Sequence, residues 1–575
     1  MKHKIVLHDA FKRFTRDQDK IWPPEETVRR FKDKLQKIDL DILHRTMRID
    51  NGRLDIPVYF STCGKDALAT IGTQKQMGKG ATPQQAEASA LMELAERYSF
   101  FSFAKNPTNF FEAKYVDVKD QAIPFAMIAR SVHDESEDLT ITRKIFENLR
   151  LKWTWGYNLT RAQEVLIPFD WFYAINEFNG PSAGNCQEEA LIQGICEIVE
   201  RHTSSIISHN RLRVPAIRAE SATEPLVAEM LQKYRHVGVK LYISDFSLDM
   251  GIPTVGVLAY DPTTFPHLSE IVWTAGTTPD PQKALSRALT EVAQLAGDFN
   301  TSSCYVASGL PKFKNIEEAE FLRHPGNEID ISNLPQLSDP NMKVEIQNCV
   351  AALAQRGMDV LVVNTMHPIL EVPAFYTIIP GAHFRERALN TSVGMFTAKH
   401  IAEHRRPQEA IAELRKMDDQ LAGKYYVSFY LGTCHLALGD PETARRNFNQ
   451  ALALEPNEQD IPSICSYLGV ALKDMGKYRE ALEVLAYGER FDQERTDIYN
   501  LVGFCHYKLR NHREAIEYFK KVIRLDPTSA IDYANIASNY RDLGEKAKAI
   551  RYYEMALTLD ASIDFARKNL KELKG

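Results

Sequence analysis

Two stretches of the sequence combine glycine-containing turns with regularly spaced carboxylates. The turns lie at residues 78–80 and 182–185. After each turn, polar residues recur at intervals of three and four, which places them on one face of a helix. These residues are Ser89, Glu93, Glu96 and Arg97 in the first stretch, and Glu189, Gln193, Glu197 and Glu200 in the second. The positions between them are apolar, so we expect two packed helices whose acidic stripes face a cleft.

Carboxylates three or four residues apart on a helix repel one another and need a positive partner. Divalent cations supply that partner, because Mg²⁺ is usually bound by a few carboxylates together with substrate phosphates. The turns would bring backbone N–H groups and the Lys79 side chain to the same phosphates. The alternative is a set of weak Glu–Arg pairs on solvent-facing helices. The duplication of the pattern and its apolar surroundings favour a nucleotide–Mg²⁺ site.

A third turn-and-helix segment runs through residues 276–294 and places Arg287 and Glu291 on one face. The planar guanidinium group of Arg287 suits the oxygens of a transferring phosphate. An Arg–Glu pair within the helix explains the same spacing equally well. The sequence contains no P-loop, no Rossmann glycine motif and no protein-kinase signature set. A nucleotide site in this chain is therefore expected to differ from the common phosphate cradles.

The composition indicates more than one domain and gives no sign of a membrane or nucleic-acid partner. A chain of 575 residues is too long for one core, and its 44% apolar and 25% charged residues are ordinary for a globular protein. The net charge of −6 gives no basic field for a nucleic acid. No apolar run is long enough for a signal peptide or a membrane span. The eight cysteines form no CxxC pair, so the sequence predicts a cytoplasmic protein.

The C-terminal third of the chain is repetitive. Small residues recur at steps of 34, 37, 34 and 34 residues, and an alanine follows each of them twelve residues later. The small residues are Ala398, Gly432, Gly469, Gly503 and Ala537, and the alanines are Ala410, Ala444, Ala481, Ala515 and Ala549. This is the period of tetratricopeptide (TPR) repeats, whose helix pairs stack on one another. The array predicts a binding surface for a peptide or partner, with a structural or dimerising role as the alternative.

The N-terminal two thirds of the chain alternate β-branched runs with amphipathic segments, which predicts an α/β or α+β domain. Candidate strands lie at 241–244, 254–260, 359–363 and 375–379. A first helix is expected at 25–38, because it follows two prolines.

These motifs resemble the YcaO family. Its marks are a GKG turn leading into S-x-x-x-E-x-x-E-R, an S-A-G-N turn leading into E…E-x-x-E-R, and a later A-x-x-R-A-x-x-E-x-x-Q helix. All three occur here in the family's order, between about Trp22 and Ala388. The resemblance implies ATP whose phosphates are joined to helix carboxylates by Mg²⁺. It implies that the Mg²⁺ ligands are Glu93, Glu96, Glu189, Glu197 and Glu200. It implies that the residues around ATP are Lys79, Ser89, Ser182, Asn185, Gln193, Arg201 and Arg287. Of these, Lys79 and Arg287 would be the catalytic cations.

The family's chemistry implies transfer of the γ-phosphoryl group of ATP to a backbone amide oxygen, after a nucleophile attacks the amide carbon. Loss of phosphate gives an azoline when the nucleophile is a Cys, Ser or Thr side chain, and a thioamide when it is sulfide. This chain continues into repeats instead of a Pro-rich tail and has no E1-like or peptide-clamp domain, which favours a thioamide. The expected partners are a peptide or protein substrate and an accessory protein, either TfuA-like or a sulfur donor.

Two other functions remain open at this stage. The first is a non-catalytic ATP-binding scaffold that assists another modification enzyme, for example in methylthiolation. The second is a small-molecule amide or carboxylate ligase, which the acidic motifs fit equally well.

The expected fold is an α/β (α+β) YcaO-like catalytic domain followed by an all-α TPR solenoid. A helical lead-in is expected at 1–50, the catalytic domain at 51–390 and the solenoid at 391–575. The repeats are expected at about 391–424, 425–458, 462–495, 496–529 and 530–563, with a capping helix after them. A homodimer is compatible with this organisation.

Overall fold

The computed structural model describes residues 3–302, 310–384 and 391–575, which divide into two compact units. The first unit comprises Met1–Glu135 and Glu147–Thr391, and the second comprises Ser136–Phe146 and Ser392–Gly575. Seven cysteines are free thiols, and Cys304 lies outside the described residues. Within the described ranges, no helix combines the length and apolar character that a bilayer crossing requires.

The first unit contains three antiparallel or mixed sheets. Its strands are β1 (Leu43–Arg48), β2 (Val58–Cys63), β3 (Lys75–Lys79), β4 (Phe111–Lys114), β5 (Arg150–Asn158), β6 (Gln163–Pro168), β7 (Pro181–Ala183), β8 (Ala216–Ile217), β9 (Lys240–Asp245), β10 (Thr254–Tyr260), β11 (Val272–Thr277), β12 (Glu328–Ile329), β13 (Leu361–Asn364) and β14 (Ala374–Ile378). The sheet orders are β1-β2-β3, β11-β10-β9-β8-β12 and β4-β5-β13-β14-β7, and β6 pairs with β5. Neighbouring strands are antiparallel except β8 and β12.

Helices of the N-terminal two thirds lie between and around these sheets. They are α1 (Pro24–Leu35), α2 (Lys65–Ile71), α3 (Pro83–Lys105), α4 (Tyr115–Val118), α5 (Phe125–Ser131), α6 (Leu139–Glu147), α7 (Phe169–Asn176), α8 (Gln187–Asn210), α9 (Pro225–His236), α10 (Pro281–Ala296), α11 (Glu320–Arg323) and α12 (Met342–Gln355). The predicted first helix and the four predicted strands are all present, with ends shifted by up to three residues. Residues 136–146, which include most of α6, belong to the second unit.

Three long helices occupy the layer between the sheets. Helix α3 packs on β2 and β3 and also contacts β7 and β14. Helix α8 packs on β7, β14 and β11, and α10 packs on β10, β11 and β3. Because each helix contacts strands of two sheets, its apolar residues are buried on more than one side. The polar stripes of all three helices therefore have little room except in a shared gap.

Each of these helices follows a short turn from a strand and has a capped N-terminus. Thr82 Oγ1 accepts a hydrogen bond from the Gln85 N–H at 3.3 Å at the start of α3. The Asp280 carboxylate accepts from the N–H groups of Gln282 and Lys283 at 2.8 and 3.3 Å at the start of α10. Caps of this kind satisfy helix N–H groups that have no intrahelical partner. The same strand–turn–helix arrangement thus occurs three times around one layer.

The second unit is all-helical and confirms the predicted solenoid. Its other helices are α13 (Val393–His404), α14 (Pro407–Gln420), α15 (Tyr425–Ala437), α16 (Pro441–Ala453), α17 (Ile461–Asp474), α18 (Tyr478–Glu489), α19 (Thr496–Lys508), α20 (His512–Leu525), α21 (Ala530–Asp542), α22 (Lys546–Leu559) and α23 (Asp564–Lys574). Each helix packs on the next, and the small residues lie where the pairs touch. The fully buried Phe448 ring, for example, packs on Gly432.

Candidate nucleotide and metal site

One cleft in the first unit collects the polar stripes of the three central helices. It is lined by residues of α3, α8 and α10, by the end of β3 and the turn after it, and by part of the irregular segment before α1 together with the first turn of α1. Eight of the twelve residues predicted for the site line this cleft: Lys79, Ser89, Glu93, Glu96, Asn185, Glu189, Gln193 and Arg287. Carboxylates of helices that are far apart in the sequence therefore share one cavity.

Two glycines bring backbone close to the helix starts that line the cleft. A Cβ atom at Gly80 would lie 2.7 Å from the Ala86 backbone nitrogen, and one at Gly184 would lie 2.6 Å from the Ala190 nitrogen. Contacts this short are not available to a residue with a side chain. The turn and the first helical residues can therefore approach closely at both places, which is the geometry that backbone phosphate cradles use.

The carboxylates of α3 are held by one arginine. Arg97 Nε donates to Glu93 Oε1 at 3.0 Å and lies 3.5 Å from Glu96 Oε1. Burial raises the pKa of Glu96 well above its ordinary value, and the charge of Glu93 raises it further. A divalent cation in the cleft would favour the ionised form of both side chains. The first acidic stripe is thus short of positive charge.

Arg287 joins α10 to the acidic stripe of α8. Its Nη1 atom donates to Gln193 Oε1 at 3.0 Å, and its Nε atom donates to Glu200 Oε2 at 3.2 Å. Glu200 also accepts from the backbone N–H of Thr277 at 3.1 Å. These contacts fix the guanidinium group at the wall of the cleft, and its side chain is 15% exposed.

Glu197 occupies the next turn of the same helix. Burial raises its pKa, against the lowering effect of the nearby arginines Arg201 and Arg97. Its nearest cation is Arg201 Nη2, at 3.8 Å from Oε1, and its other oxygen accepts from the Gly180 N–H at 3.3 Å. This arrangement leaves a second buried carboxylate whose ionised form is under-compensated.

Lys79, the last residue of β3, is paired with Glu291 of α10. The lysine side chain is 19% exposed and the glutamate side chain is 7% exposed. Burial lowers the pKa of Lys79, which also faces the charge of Arg287. The pairing keeps the ammonium group at the cleft, between the first and third strand–turn–helix units.

A known protein family matches the part of the sequence that forms most of this cleft. The family described as YcaO cyclodehydratase, ATP- and Mg²⁺-binding, matches residues 77–383. That segment is more than half of the chain and includes every residue predicted for the site. The chain belongs to the YcaO family. Its predicted cofactors, ATP and Mg²⁺, are confirmed by this membership, and TPR models match residues 425–458, 496–529 and 533–563.

Two curated relatives show how far the similarity extends. An uncharacterised protein of Methanothermobacter thermautotrophicus is 28% identical over 381 residues, which cover 62% of this YcaO chain and 93% of the relative. The ribosomal protein S12 methylthiotransferase accessory factor YcaO of Escherichia coli is 29% identical over 280 residues, covering 45% of this chain and 46% of the relative. The chain therefore spans just under half the length of the E. coli protein.

A solved structure, a heterocyclase in complex with substrate and cofactor, resembles this chain with a TM-score of 0.53 and 21% sequence identity. The match covers 66% of this chain and 55% of the heterocyclase. This likeness concerns the fold, and it confirms the mixed α/β character of the YcaO domain.

Four of the twelve predicted site residues do not line the cleft: Ser182, Glu197, Glu200 and Arg201. Ser182 is fully buried, and its hydroxyl group lies beside Gly194 and Thr377, under α8. Arg201 contacts Glu197 and Glu200 instead of lining the cleft. The role of these side chains at ATP stays a prediction, and their position indicates support for α8.

Glu189 lines the cleft but already has several partners. Its carboxylate accepts from the backbone N–H of Ile21 at 2.6 Å and from the backbone and side-chain N–H groups of Asn185 at 3.0 Å each. Lys20 Nζ lies 3.8 Å away. The carboxylate therefore ties the segment before α1 to the start of α8.

The segment before α1 supplies residues that the sequence analysis did not identify. Gln18 and Lys20 of this segment line the cleft, as does Thr27 in the first turn of α1. The buried carboxylate of Asp17 accepts from the Ala81 N–H at 2.8 Å and from Ser286 Oγ at 3.0 Å, which links the turn after β3 to α10. This segment is irregular, so its sequence has no helical or strand periodicity from which its place at the cleft could be predicted.

The residues of the cleft fit Mg²⁺-ATP by their chemistry. Among the described residues, no group of three or more His, Cys, Asp or Glu side chains is arranged to hold a metal ion alone. Magnesium usually keeps waters and substrate phosphates among its ligands and takes one or two carboxylates. Two under-compensated acidic stripes, two cations and two glycine turns at one cleft match that mode of binding. Glu93 and Glu96, which line the cleft, would hold the metal together with Glu197 and Glu200, which lie on the same stripe of α8 as the lining residue Gln193. Lys79 and Arg287 would face the phosphates.

Proposed function

We propose that the first unit uses ATP to activate a backbone amide of a peptide, which leads to a thioamide or an azoline. The observation that carries this proposal is the convergence of carboxylates of α3 and α8 with Lys79 and Arg287 in one cleft. When bound, Mg²⁺-ATP supplies a γ-phosphoryl group that turns the amide oxygen into a leaving group. Reactions of this kind depend mainly on positioning and on charge neutralisation.

The protein's own residues supply both requirements. Arg287 is held by hydrogen bonds to Gln193 and Glu200, so its guanidinium group needs little reorganisation to meet developing charge. Lys79 is held by Glu291 in the same way. Lys79 and Arg287 are therefore fixed on β3 and α10, and together they can hold a transferring phosphoryl group in one orientation.

The sulfur or oxygen nucleophile is expected to come from outside this chain. Within the described residues, no cysteine lines the cleft. Cys186, at the start of α8, has its pKa raised to about 12 by burial and by the charge of Glu189, so its thiol is protonated at neutral pH. A substrate side chain or sulfide must then attack the amide carbon. We favour sulfide, delivered by an accessory sulfur-donor or TfuA-like protein.

The reaction is tested by mass spectrometry of candidate peptides after incubation with ATP and Mg²⁺, with and without sulfide. Loss of one water identifies an azoline, and replacement of one oxygen by sulfur identifies a thioamide. Glu93→Ala and Glu200→Ala are expected to abolish product and substrate-dependent ATP hydrolysis while the fold persists. Glu112→Ala, at an exposed position of β4, is the matched control and should keep full activity. Wild-type turnover in both site variants would end the proposal.

We further propose that the TPR unit recruits the peptide substrate or the protein that carries it. Tyr467 of α17 is 43% exposed and packs on Phe429 and Phe448, so it presents an aromatic surface on a rigid support. Tyr467→Ala is expected to raise KM for the carried substrate and to leave kcat unchanged. An unchanged KM would assign this surface to assembly of the solenoid.

A second function is favoured by the E. coli relative, which is described as an accessory factor of a methylthiotransferase. In this alternative the protein binds ATP for stability and assists another modification enzyme without turning ATP over. The two functions differ in nucleotide consumption. Tight ATP binding with no hydrolysis, in the presence of peptide and partner enzyme, would select the accessory role.

A further inference from the structure

A second cavity of about 840 Å³ lies in the first unit, away from the nucleotide cleft. It is bounded by the C-terminal half of α3, by β5, by β13 and the segment after it, by the residues that precede β4 and by the N-terminal residues 3–5. The His3 ring stacks on the Trp155 ring at 5.8 Å between centroids. The nucleotide cleft and this cavity share no lining residue. It therefore needs a separate explanation.

The cavity exists because β5 lacks a neighbour over part of one edge. Strand β4 pairs with β5 at residues 150–153, and β13 pairs with it at 157–158. At residues 154–156, within the described chain, β5 has a strand partner only on the β6 side. Both neighbours turn away at this point, and the space they leave is the cavity.

The register shows which backbone groups face the gap. Leu159 N–H bonds to Val360 O at 2.9 Å, so odd-numbered residues of β5 direct their N–H and C=O groups toward β13 and β4. Alternation along a strand assigns the same direction to Trp155. Its N–H and C=O groups therefore face the cavity, where no described strand pairs with them. An edge of this kind accepts an extended peptide as an added strand.

Two buried hydroxyl groups also line the cavity without a hydrogen-bond partner. Ser99 is 0% exposed and Thr365 is 1% exposed, and neither hydroxyl has an acceptor or donor among the described residues. Buried polar groups are nearly always satisfied. A polar ligand with both N–H and C=O groups would satisfy them, and a peptide backbone provides both.

The charge of the lining selects among peptides. Lys4 lines the cavity, and no described lining residue is a carboxylate. The Lys152 ammonium group, 4.3 Å from the ring of the lining residue Phe110, is already paired with Asp170 at 3.8 Å. A basic peptide would find no counter-charge in the lining, whereas an acidic side chain would pair with Lys4. The lining also contains exposed aromatic surface at Phe111, which suits apolar side chains on alternate positions.

We propose that this cavity binds an extended, acidic peptide segment that joins β5 as an added strand at Trp155. That the segment belongs to the modified peptide rests on the proposed function. The geometry suits such a role, because Glu93 at the nucleotide cleft and Ser102 at the cavity lie nine residues apart on α3, or about 14 Å. An extended peptide covers that distance with about four residues.

Fluorescence anisotropy with the full-length protein, without ATP, tests the proposal. The probes are labelled peptides of alternating Glu and Val, of alternating Lys and Val, and two Glu–Val versions N-methylated on opposite edges. The unmodified acidic peptide should bind, the basic one should not, and one methylated version should bind about tenfold more weakly. Equal binding of all four peptides, or no binding of any, would overturn the proposal.

Variants locate the site. Ser102→Trp fills the cavity and should weaken the acidic peptide about tenfold, whereas Ala104→Trp, on the same helix but outside the lining, should not. Lys4→Glu should weaken it about fivefold, and Lys119→Glu, at an exposed position elsewhere, should not. Wild-type binding by Ser102→Trp would contradict the assignment. Because this binding is measured without turnover, its failure is distinct from failure of the amide-activation chemistry.

Discussion

The Lys79–Glu291 pair provides a test that separates structural support from nucleotide binding. Both side chains are largely buried, and Arg287 and Arg201 lie close enough to contribute to the charge balance of Glu291. Breaking a buried pair by removing one partner costs roughly 3–5 kcal/mol. Lys79→Met leaves Glu291 with the two arginines, so we expect the lower end of this range, a loss of about 3 kcal/mol of unfolding free energy.

The double variant Lys79→Met/Glu291→Met replaces the pair with apolar side chains of similar size. Such replacements are often neutral, so the unfolding free energy should return to within about 1 kcal/mol of the wild type. Affinity for Mg²⁺-ATP should not return, because a charge-assisted contact of about 1.5–3 kcal/mol with the phosphates is lost in both variants. We expect a dissociation constant raised about tenfold or more in each.

Stability is measured by urea unfolding followed through tryptophan fluorescence. All five tryptophans lie between residues 22 and 273, within the first unit, so the signal excludes the TPR unit. Nucleotide affinity is measured by calorimetry, with Lys119→Met as the exposed-lysine control. Wild-type affinity in the double variant would refute a phosphate-facing role for Lys79. A double variant as unstable as the single one would refute the energetic account of the pair.

Three further predictions follow from the packing of the described residues. Gly80→Ala should lower the unfolding free energy by about 1–3 kcal/mol and weaken ATP binding, because the added Cβ atom would meet the start of α3. Gly326→Ala is the control and should do neither, since the space around Gly326 is open. Equal effects of the two variants in urea unfolding would contradict this prediction. The pKa of His202 is lowered to about 3 by burial and by the stacked His383, so the stability it contributes is complete above its unfolded pKa of about 6.5 and is lost as the pH falls toward 3. His202 should account for about 2 kcal/mol of the unfolding free energy that the protein loses between pH 7 and pH 5, and His383, whose pKa is lowered to about 4, should add to that loss. His202→Gln should reduce the loss by about 2 kcal/mol, and an unchanged pH dependence would count against this account. Phe448→Ala should destabilise the TPR unit by about 3 kcal/mol, seen by circular dichroism, and leave the tryptophan transition unchanged.

The sequence predicted the elements of the site better than their arrangement. Helical periodicity is local, so the faces of α3 and α8 could be identified from Glu93, Glu96, Glu197 and Glu200 alone. Glycines at the turns indicated close approach, and the structure shows it at Gly80 and Gly184. The repeat period predicted the solenoid for a similar reason, since each helix pair is defined within one repeat.

Long-range pairing left no comparable pattern. The orders of the three sheets, and the gap along β5 at Trp155, depend on contacts between distant segments. The bond between Lys79 and Glu291 joins residues that periodicity cannot relate. The same holds for Asp17, which links the turn after β3 to α10 from an irregular segment. It also holds for residues 136–146, which fold with the repeats although they lie within the sequence of the catalytic domain.

The central claim is that carboxylates of two helices act on one Mg²⁺-ATP. A double-mutant cycle measured by calorimetry tests it most directly, with Glu93→Gln on α3, Glu197→Gln on α8 and the two combined. If both side chains serve the same bound ions, each single variant weakens binding and the double variant loses less than the sum, by about 0.5–3 kcal/mol. Wild-type affinity in both single variants, or losses that add without coupling, would contradict a shared site.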